Sequence, residues 1–221
     1  MISIALDGPA GAGKSTVAKG AAAALGFIYV DTGALYRTVG LKFMREGYDT
    51  NLDCDIEAIL KTIEVDIKFI NGAQHVFLNG EDVSDEIRTP EASMMASAVS
   101  AKPPVRAFLL EMQRKLARDN NVLMDGRDIG TVVLPDATLK FFVTASVEER
   151  ATRRFKELVD KGMDVNYDDI YKDIETRDYN DSHREIAPLK PAEDSIMFDT
   201  TGNTLQESID NLIKIIKEKL N

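Results

Sequence analysis

The residues at positions 8 to 15, GPAGAGKS, match the pattern G-x-x-x-x-G-K-[ST] and follow an apolar stretch at residues 2–6. Glycines let the backbone curl so that its N–H groups point at phosphate oxygens, and the N-terminus of a following helix adds positive charge. Lys14 can reach the outer phosphates, and Ser15 can ligate Mg²⁺. The motif therefore predicts a binding site for a nucleoside triphosphate, formed by Gly8, Pro9, Ala10, Gly11, Ala12, Gly13, Lys14, Ser15 and Thr16.

A second group of polar residues, DTGALYR at residues 31–37, follows the next apolar run and opens a predicted helix. It places a hydroxyl, a backbone turn and Arg37 at the carboxyl end of a strand. Ligands of open α/β sheets bind at that edge. The stretch thus predicts a second anion site, with a solvated helix charge as the alternative for Arg37.

The sequence DGRDIG at residues 125–130 ends another buried strand with two aspartates and one arginine. Asp125 can act on Mg²⁺ or its waters, and Arg127 can bind phosphate. Asp128 can accept a hydrogen bond from an exocyclic amine, as a carboxylate does from cytosine N4. The alternative is a local ion pair that caps a turn.

Two further stretches are rich in arginine. Arg177, Asp181 and Arg184 stand at i, i+4 and i+7, so a helix presents them on one face. This spacing fits a clamp on a second phosphate and its ribose, or a self-paired surface ladder worth only about 0.2–0.5 kcal/mol per pair. Arg150 and Arg154 are like charges four residues apart, which is unfavourable without an anion, and they predict a mobile basic flap.

The elements that must position these residues alternate along the chain. Short apolar runs, each followed by a loop and an amphipathic stretch, occupy residues 2–6, 27–30, 122–124, 139–143 and 196–198. Apolar residues recur at helical spacing over 103–120 and 205–220. This order predicts an α/β fold with a parallel β-sheet flanked by crossover helices. Thr204 with Glu207, and Ser146 with Glu149, have capping-box spacing and predict two helix starts.

The region from about residue 65 to residue 98 follows a different pattern. Residues 65–69 alternate with period two, and the pairs Asn71-Gly72 and Asn79-Gly80 separate short β-like runs. Asn-Gly is a strong hairpin signal, so we predict a small antiparallel meander. A helix at 91–99 completes this insert, which we expect to lie over one edge of the parallel sheet.

Composition narrows the functional class. The 221 residues carry a formal net charge of −10, which argues against non-specific nucleic-acid binding. The single cysteine excludes an internal disulfide, no secretory leader precedes the first run, and no apolar run approaches the roughly 20 residues of a membrane span. We expect a cytoplasmic monomer that interacts with neither membranes nor nucleic acid.

The chain resembles the bacterial cytidylate kinases along essentially its whole length. The resemblance is carried by five motifs in this order: GPAGAGKS, DTGALYR, EDVSDEIRT, DGRDIGTVVLPDA and RDYNDSHREIAPL. The bacterial cytidylate kinases are P-loop nucleoside monophosphate kinases. The resemblance implies a P-loop NTPase fold in one kinase domain, with a core at 1–58 and 99–221. It also implies an antiparallel acceptor-binding insert at about 59–98 and a short lid at about 150–167.

The resemblance further implies γ-phosphoryl transfer from ATP to CMP or dCMP, giving ADP and CDP or dCDP, with Mg²⁺. The catalytic residues would be Lys14, Arg127, Arg150 and Arg154. The cytosine would contact Ser97, Arg106 and Asp128, and the sugar would contact Arg177 and Asp181. The acceptor phosphate would contact Arg37, Arg127 and Arg184, near Thr32 and Tyr36. Ser15 would ligate Mg²⁺, with Asp125 acting through water.

Two other functions stay open from the residues alone. One is a kinase for another small acceptor, and the other is a non-catalytic nucleotide sensor. The two groups of anion-binding residues favour a kinase over a sensor, since a sensor has no use for an acceptor clamp.

Overall fold

The helices and strands of this computed structural model, which describes residues 1–220, follow the alternation of apolar runs in the sequence. In chain order they are β1 (Ser3–Asp7), α1 (Lys14–Leu25), β2 (Ile28–Asp31), α2 (Thr32–Arg45), α3 (Ile56–Leu60), β3 (Val65–Ile70), β4 (Ala73–Leu78), β5 (Glu81–Asp82), α4 (Pro90–Ser100), α5 (Pro103–Asp119), β6 (Val122–Asp125), β7 (Leu139–Thr144), α6 (Val147–Asp160), α7 (Tyr167–His183), β8 (Ile196–Asp199) and α8 (Leu205–Leu220). A 3₁₀ turn occupies Glu86–Arg88 and a π turn occupies Ile129–Val133.

Two units can be recognised in the chain. The P-loop unit consists of Met1–Tyr29 together with the segment from Asn120 onward, and the hairpin unit consists of Val30–Asp119. The chain passes from the first unit into the second within β2. The boundaries predicted for the insert, 59–98, and for the lid, 150–167, stay predictions.

A five-stranded sheet of order β2-β6-β1-β7-β8 confirms the predicted parallel α/β fold. The strand β1 is paired in parallel with β6 on one side and with β7 on the other. Leu6 lies opposite Asp125 in the first pair, and Asp7 lies opposite Phe142 in the second. The loops that follow β1 and β6 therefore leave the sheet at the same edge.

The core of the P-loop unit lies between this sheet and the helices α1 and α8. Phe141 from the sheet and Ile216 from α8 are fully buried there, together with alanines of α1 such as Ala18 and Ala21. The start of α8 is a reciprocal capping box: Thr204 N donates to Glu207 Oε2 at 2.8 Å, and Glu207 N donates to Thr204 Oγ1 at 3.2 Å. This helix start was predicted from the sequence.

The start of α6 is capped in a different way. Ser146 Oγ accepts a hydrogen bond from Glu149 N at 3.1 Å, which confirms the predicted helix start. The Glu149 carboxylate forms no second capping bond to Ser146, because it pairs with Arg153 at 3.1 Å. The amide of Ser146 donates to Thr201 Oγ1 instead.

The hairpin unit contains the predicted antiparallel meander, a three-stranded sheet of order β3-β4-β5. Both Asn-Gly pairs form its turns, with φ of 52° and 78° at Asn71-Gly72 and 51° and 83° at Asn79-Gly80. Positive φ at both central residues matches the twist of a hairpin, which explains the residue choice. Apolar side chains of this sheet pack with α2, α4 and α5 in a second core that includes Leu35, Phe43 and Leu109.

Some elements were not predicted. The helix α3 has only five residues, too few for a periodic apolar pattern. The π turn depends on hydrogen bonds to a distant residue, described below. The helix α4 is close to its prediction of 91–99, and Thr89 caps it by accepting from Ala92 N at 3.1 Å. None of the helices formed by residues 1–220 has the length and apolarity that a membrane crossing needs.

We predict that Gly8→Ala destabilises the fold strongly. A Cβ at Gly8 would lie 1.9 Å from the backbone oxygen of Val143, and the residue has a φ of 147°. The end of β1 would have to separate from β7, so the free energy of unfolding should fall by more than about 2 kcal/mol. Chemical denaturation measures this quantity.

The matched control for this prediction is Gly47→Ala. Gly47 also has a positive φ, 85°, but a Cβ there meets nothing within 4 Å. It should cost only the backbone strain of about 1–2 kcal/mol. Equal losses in the two variants would show that the contact with Val143 is not what requires glycine at position 8.

Candidate active site

The loop between β1 and α1 has the conformation expected of a phosphate-binding loop. Gly11 and Gly13 have φ of 77° and 79°, and Gly13 lies directly before α1, whose first residue is Lys14. The loop therefore ends at a helix N-terminus, where backbone N–H groups and the helix dipole favour an anion.

Lys14 is buried, and its Nζ donates to the carbonyl of Pro9 at 2.7 Å. Burial, together with the positive charge of Arg127, lowers the pKa of Lys14 to about 7 against the opposing effect of Asp125. A phosphate placed next to this ammonium group would favour its charged form. Lys14 is thus placed to respond to a bound anion.

Asp125, at the end of β6, is held by two hydroxyl groups. Ser15 Oγ donates to Asp125 Oδ2 at 2.6 Å, and the Tyr29 hydroxyl donates to Oδ1 at 3.1 Å. A serine hydroxyl and a carboxylate are hard oxygen ligands, and Mg²⁺ commonly uses one or two such groups with substrate phosphates and water. The pair fits this role, and residues 1–220 contain no cluster of three or more His, Cys, Asp or Glu side chains arranged to hold a metal.

Asp7 connects the end of β1 to the π turn that follows Asp128. Its two carboxylate oxygens accept hydrogen bonds from the amides of Ile129 and Gly130, each at 2.7 Å. Burial raises the pKa of Asp7 to about 6, although these two hydrogen bonds oppose the rise. Asp7 was not predicted as a functional residue from the sequence, although its position between an apolar strand and the P-loop was an available signal.

The loop after β6 is paired with α7 and its end. Arg127 Nε lies 2.9 Å from Asp181 Oδ2, and Arg184 Nη2 lies 3.6 Å from Asp128 Oδ1. Two of the predicted clamp residues, Asp181 and Arg184, therefore pair with the loop after β6. Arg184 follows the last residue of α7 and has extended backbone, so it lies just beyond the predicted helical face.

Arg177 lies one turn before Asp181 on α7. The residue is exposed to solvent. Desolvation of its guanidinium group by neighbouring atoms lowers the pKa of Arg177, and the like charge of Arg127 adds to this effect. Arg154 contributes in the same direction. These arginines thus concentrate positive charge locally within an acidic protein.

The predicted flap arginines on α6 differ in their surroundings. Arg150 is buried, donates to the Ala10 carbonyl at 3.1 Å, and forms a two-bond ion pair with Asp178 at 3.0 and 2.6 Å. Arg154 is more exposed and pairs with Glu157 at 2.9 Å. Arg150 therefore connects the P-loop, α6 and α7, and the catalytic roles of both arginines stay predictions.

Another connection to the P-loop involves Thr200, which is buried directly after β8. Its hydroxyl lies 3.2 Å from the carbonyl oxygen of Ala12 and 3.1 Å from that of Thr144. Arg153 donates to the hydroxyl at 3.1 Å and to the Thr200 carbonyl at 2.8 Å. Thr200 has no recognisable motif of its own, so sequence analysis did not find it.

In the hairpin unit, α2 begins with the predicted anion-binding sequence. Asp31 caps the helix by accepting from Ala34 N at 2.9 Å, and its other oxygen pairs with Arg37 at 2.9 Å. Arg37 Nε is buried and finds no hydrogen-bond partner among residues 1–220. Thr32, the first residue of the helix, is buried.

The remaining predicted residues of this unit lie on three helices. The guanidinium carbon of Arg106 lies 5.9 Å from the ring centroid of Tyr36, and Arg106 Nη1 donates to the Ser100 carbonyl at 3.3 Å. Tyr36 and Arg106 are both buried, whereas Ser97 on α4 is exposed. The structure thus brings Tyr36 and Arg106 together.

Comparisons with known proteins show which family this chain resembles. A family model described as Cytidylate kinase matches residues 4–218. A protein of Caldicellulosiruptor bescii named Cytidylate kinase is 50% identical over 214 residues, covering 97% of this chain and 95% of that protein. A protein of Lactobacillus johnsonii with the same name is 50% identical over 223 residues, covering 99% and 95%. A crystal structure of an uncharacterised protein from Eubacterium ventriosum shares the fold, with a TM-score of 0.54, 13% identity and coverage of 98% and 99%.

We predict that Asp7 makes stability depend on pH. Its pKa is about 6 in the folded state against an ordinary value of 3.8, so the folded protein holds this proton more tightly than the unfolded chain does. Relative to Asp7→Asn, the free energy of unfolding of the unaltered protein should fall by about 2 kcal/mol as pH rises from about 4 to about 7. Denaturation curves at several pH values measure the difference, and a pH-independent difference would contradict the assignment.

Proposed function

The chain belongs to the cytidylate kinase family, and we propose that it transfers the γ-phosphoryl group of ATP to CMP or dCMP, producing ADP and CDP or dCDP. One observation in the P-loop unit carries this proposal. The loop after β6 and the end of α7 hold two arginine–carboxylate pairs, Arg127–Asp181 and Arg184–Asp128, at the sheet edge where the P-loop begins. Such paired charges suit an acceptor with both an anionic and a hydrogen-bonding part.

The donor side of the proposal rests on the P-loop. Residues 8–16 would bind the phosphates of ATP, and Lys14 would contact the outermost ones. Its lowered pKa indicates a poorly solvated ammonium group, whose charged form would be stabilised by a phosphate bound next to it. The electrostatic stabilisation that Lys14 would provide grows as negative charge builds up on the leaving oxygen of ADP.

Ser15 would hold Mg²⁺, with Asp125 acting through a water molecule. The 2.6 Å hydrogen bond between their side chains supports this assignment, since it shows two hard oxygen atoms already converging next to the P-loop. When bound, Mg²⁺ supplies charge neutralisation on the phosphate oxygens. Asp125 in turn keeps the Ser15 hydroxyl oriented.

The acceptor side of the proposal rests on an exchange of ion-pair partners when CMP binds. Arg127 and Arg184 would turn from Asp181 and Asp128 to the phosphate of CMP. The freed carboxylate of Asp128 would accept a hydrogen bond from the exocyclic amine of cytosine, and Asp181 with Arg177 would hold the sugar. Each charged group then keeps a partner, which avoids leaving a buried charge unpaired.

We also propose roles for five residues of the hairpin unit. Arg37 would bind the acceptor phosphate, near Thr32 and Tyr36, and Ser97 and Arg106 would contact cytosine. The buried Nε of Arg37, unpaired among residues 1–220, supports a role for Arg37 in binding an anion. The contact between Tyr36 and Arg106 would keep both side chains in place.

Phosphoryl transfer of this kind needs alignment and charge neutralisation more than a general base, since its transition state is loose. Lys14, Arg127, Arg150 and Arg154 would supply the positive charge. For Arg150 this requires release from Asp178, because both terminal nitrogens of its guanidinium group donate to that carboxylate. Closure of the lid at about 150–167 would provide that release and exclude water.

The substrates are nucleotides. We propose in addition that the protein works as a cytoplasmic monomer and needs neither a membrane nor nucleic acid. The alternatives, a kinase for another acceptor and a nucleotide sensor, lack an observation that favours them over cytidylate as acceptor.

The assignment of Asp128 predicts a change in base selectivity. Cytosine offers an amine donor where uracil offers a carbonyl acceptor, so Asp128→Asn should reduce the preference for CMP over UMP in kcat/KM by about 10- to 100-fold. A coupled assay of ADP release with each acceptor measures this ratio. Asp136→Asn, which alters an exposed aspartate shortly after the same loop, is the matched control. Unchanged selectivity in Asp128→Asn would remove Asp128 from base recognition.

A further inference from the structure

Gln74, on β4, binds the main chain of Asp31 with both ends of its side-chain amide. Gln74 Oε1 accepts a hydrogen bond from Asp31 N at 2.8 Å, and Nε2 donates to Asp31 O at 3.2 Å. The two residues are 43 positions apart in sequence. The side-chain amide thus pairs with the backbone N–H and C=O of Asp31, at the end of β2, in the way that a neighbouring strand would.

The residue held in this way organises the start of α2. Asp31 accepts from Ala34 N with one carboxylate oxygen and pairs with Arg37 through the other, both at 2.9 Å. The turn has little free space, because a Cβ at Gly33 would lie 3.1 Å from Asp31 Oδ1 and 3.2 Å from Arg37 Nη1. A shift of the Asp31 backbone would therefore move the Arg37 guanidinium group.

The strand that carries Gln74 is itself held firmly. Val76 and Leu78, on the same strand, are buried in the cluster that also contains Leu35 and Val39 of α2. Gln74 lies opposite Phe69 in the antiparallel pairing with β3. The amide is thus presented from a rigid element to a turn that would otherwise depend on its own local bonds.

We propose that Gln74 is a positioning residue for the acceptor: it fixes the backbone of Asp31 and, through the Asp31 carboxylate, the orientation of Arg37. This inference rests on the proposed function, in which Arg37 binds the phosphate of CMP. Only an amide side chain supplies one donor and one acceptor in this geometry without a charge. Gln74 therefore affects the reaction through Arg37, without touching the substrate.

Two variants test this role. Gln74→Glu keeps the shape and the acceptor but replaces the donor with an oxygen that faces the Asp31 carbonyl. Gln74→Met removes both hydrogen bonds at similar length. We expect the KM for CMP to rise about fivefold or more in each variant, with the KM for ATP changed less than about twofold. Gln206→Met is the matched control, since Gln206 donates to Asp210 on the exposed face of α8.

The outcomes separate the inference from the proposed function. A KM for CMP in both variants within about twofold of the control overturns the role of Gln74, even if the melting temperature falls. An equal rise in KM for ATP and CMP also overturns it, because a general loss of structure would act on both substrates. Absence of CMP phosphorylation in the unaltered protein overturns the proposed function and, with it, this inference.

Discussion

The parallel pairing of β1 with β6 is the constraint on which the rest of the site depends. It sets Leu6 opposite Asp125, so the P-loop and the loop that carries Arg127 and Asp128 start side by side, about 4.8 Å apart. Hydrogen bonds then connect the two loops: Ser15 donates to Asp125, and the π turn donates to Asp7. The residues proposed to bind the donor and those of the loop after β6 proposed to bind the acceptor are neighbours because two adjacent strands end together.

The charge arrangement follows from this placement. The whole protein carries a net charge of −10, yet it must bind two anionic nucleotides. In the function proposed above, its arginines meet this requirement by pairing with carboxylates that are exchanged for phosphate, as in the Arg127–Asp181 and Arg184–Asp128 pairs. The ion pairs keep the arginines in place and compensate their charge before a substrate binds. Exchange of partners costs less than burial of an unpaired arginine.

Local patterns were sufficient to predict much of the molecule. The P-loop, the order of the strands along the chain, both Asn-Gly turns and the helix starts at Ser146 and Thr204 depend on neighbouring residues, and the structure confirms them. Asp7, Gln74 and Thr200 were missed because their partners lie 43 to 188 positions away. Such contacts depend on the tertiary fold, and the periodicity of a single sequence does not reveal which distant residues the fold brings together. The roles of the individual arginines stay predictions for the same reason.

The most direct test of the account is the rate of ADP release with ATP and Mg²⁺, first without an acceptor and then with CMP, dCMP, UMP, AMP or GMP. The account predicts slow release alone and strong stimulation by CMP and dCMP, because the acceptor site reads both the phosphate and the amine of cytosine. Equal stimulation by all five acceptors, or no stimulation by any of them, would contradict the account.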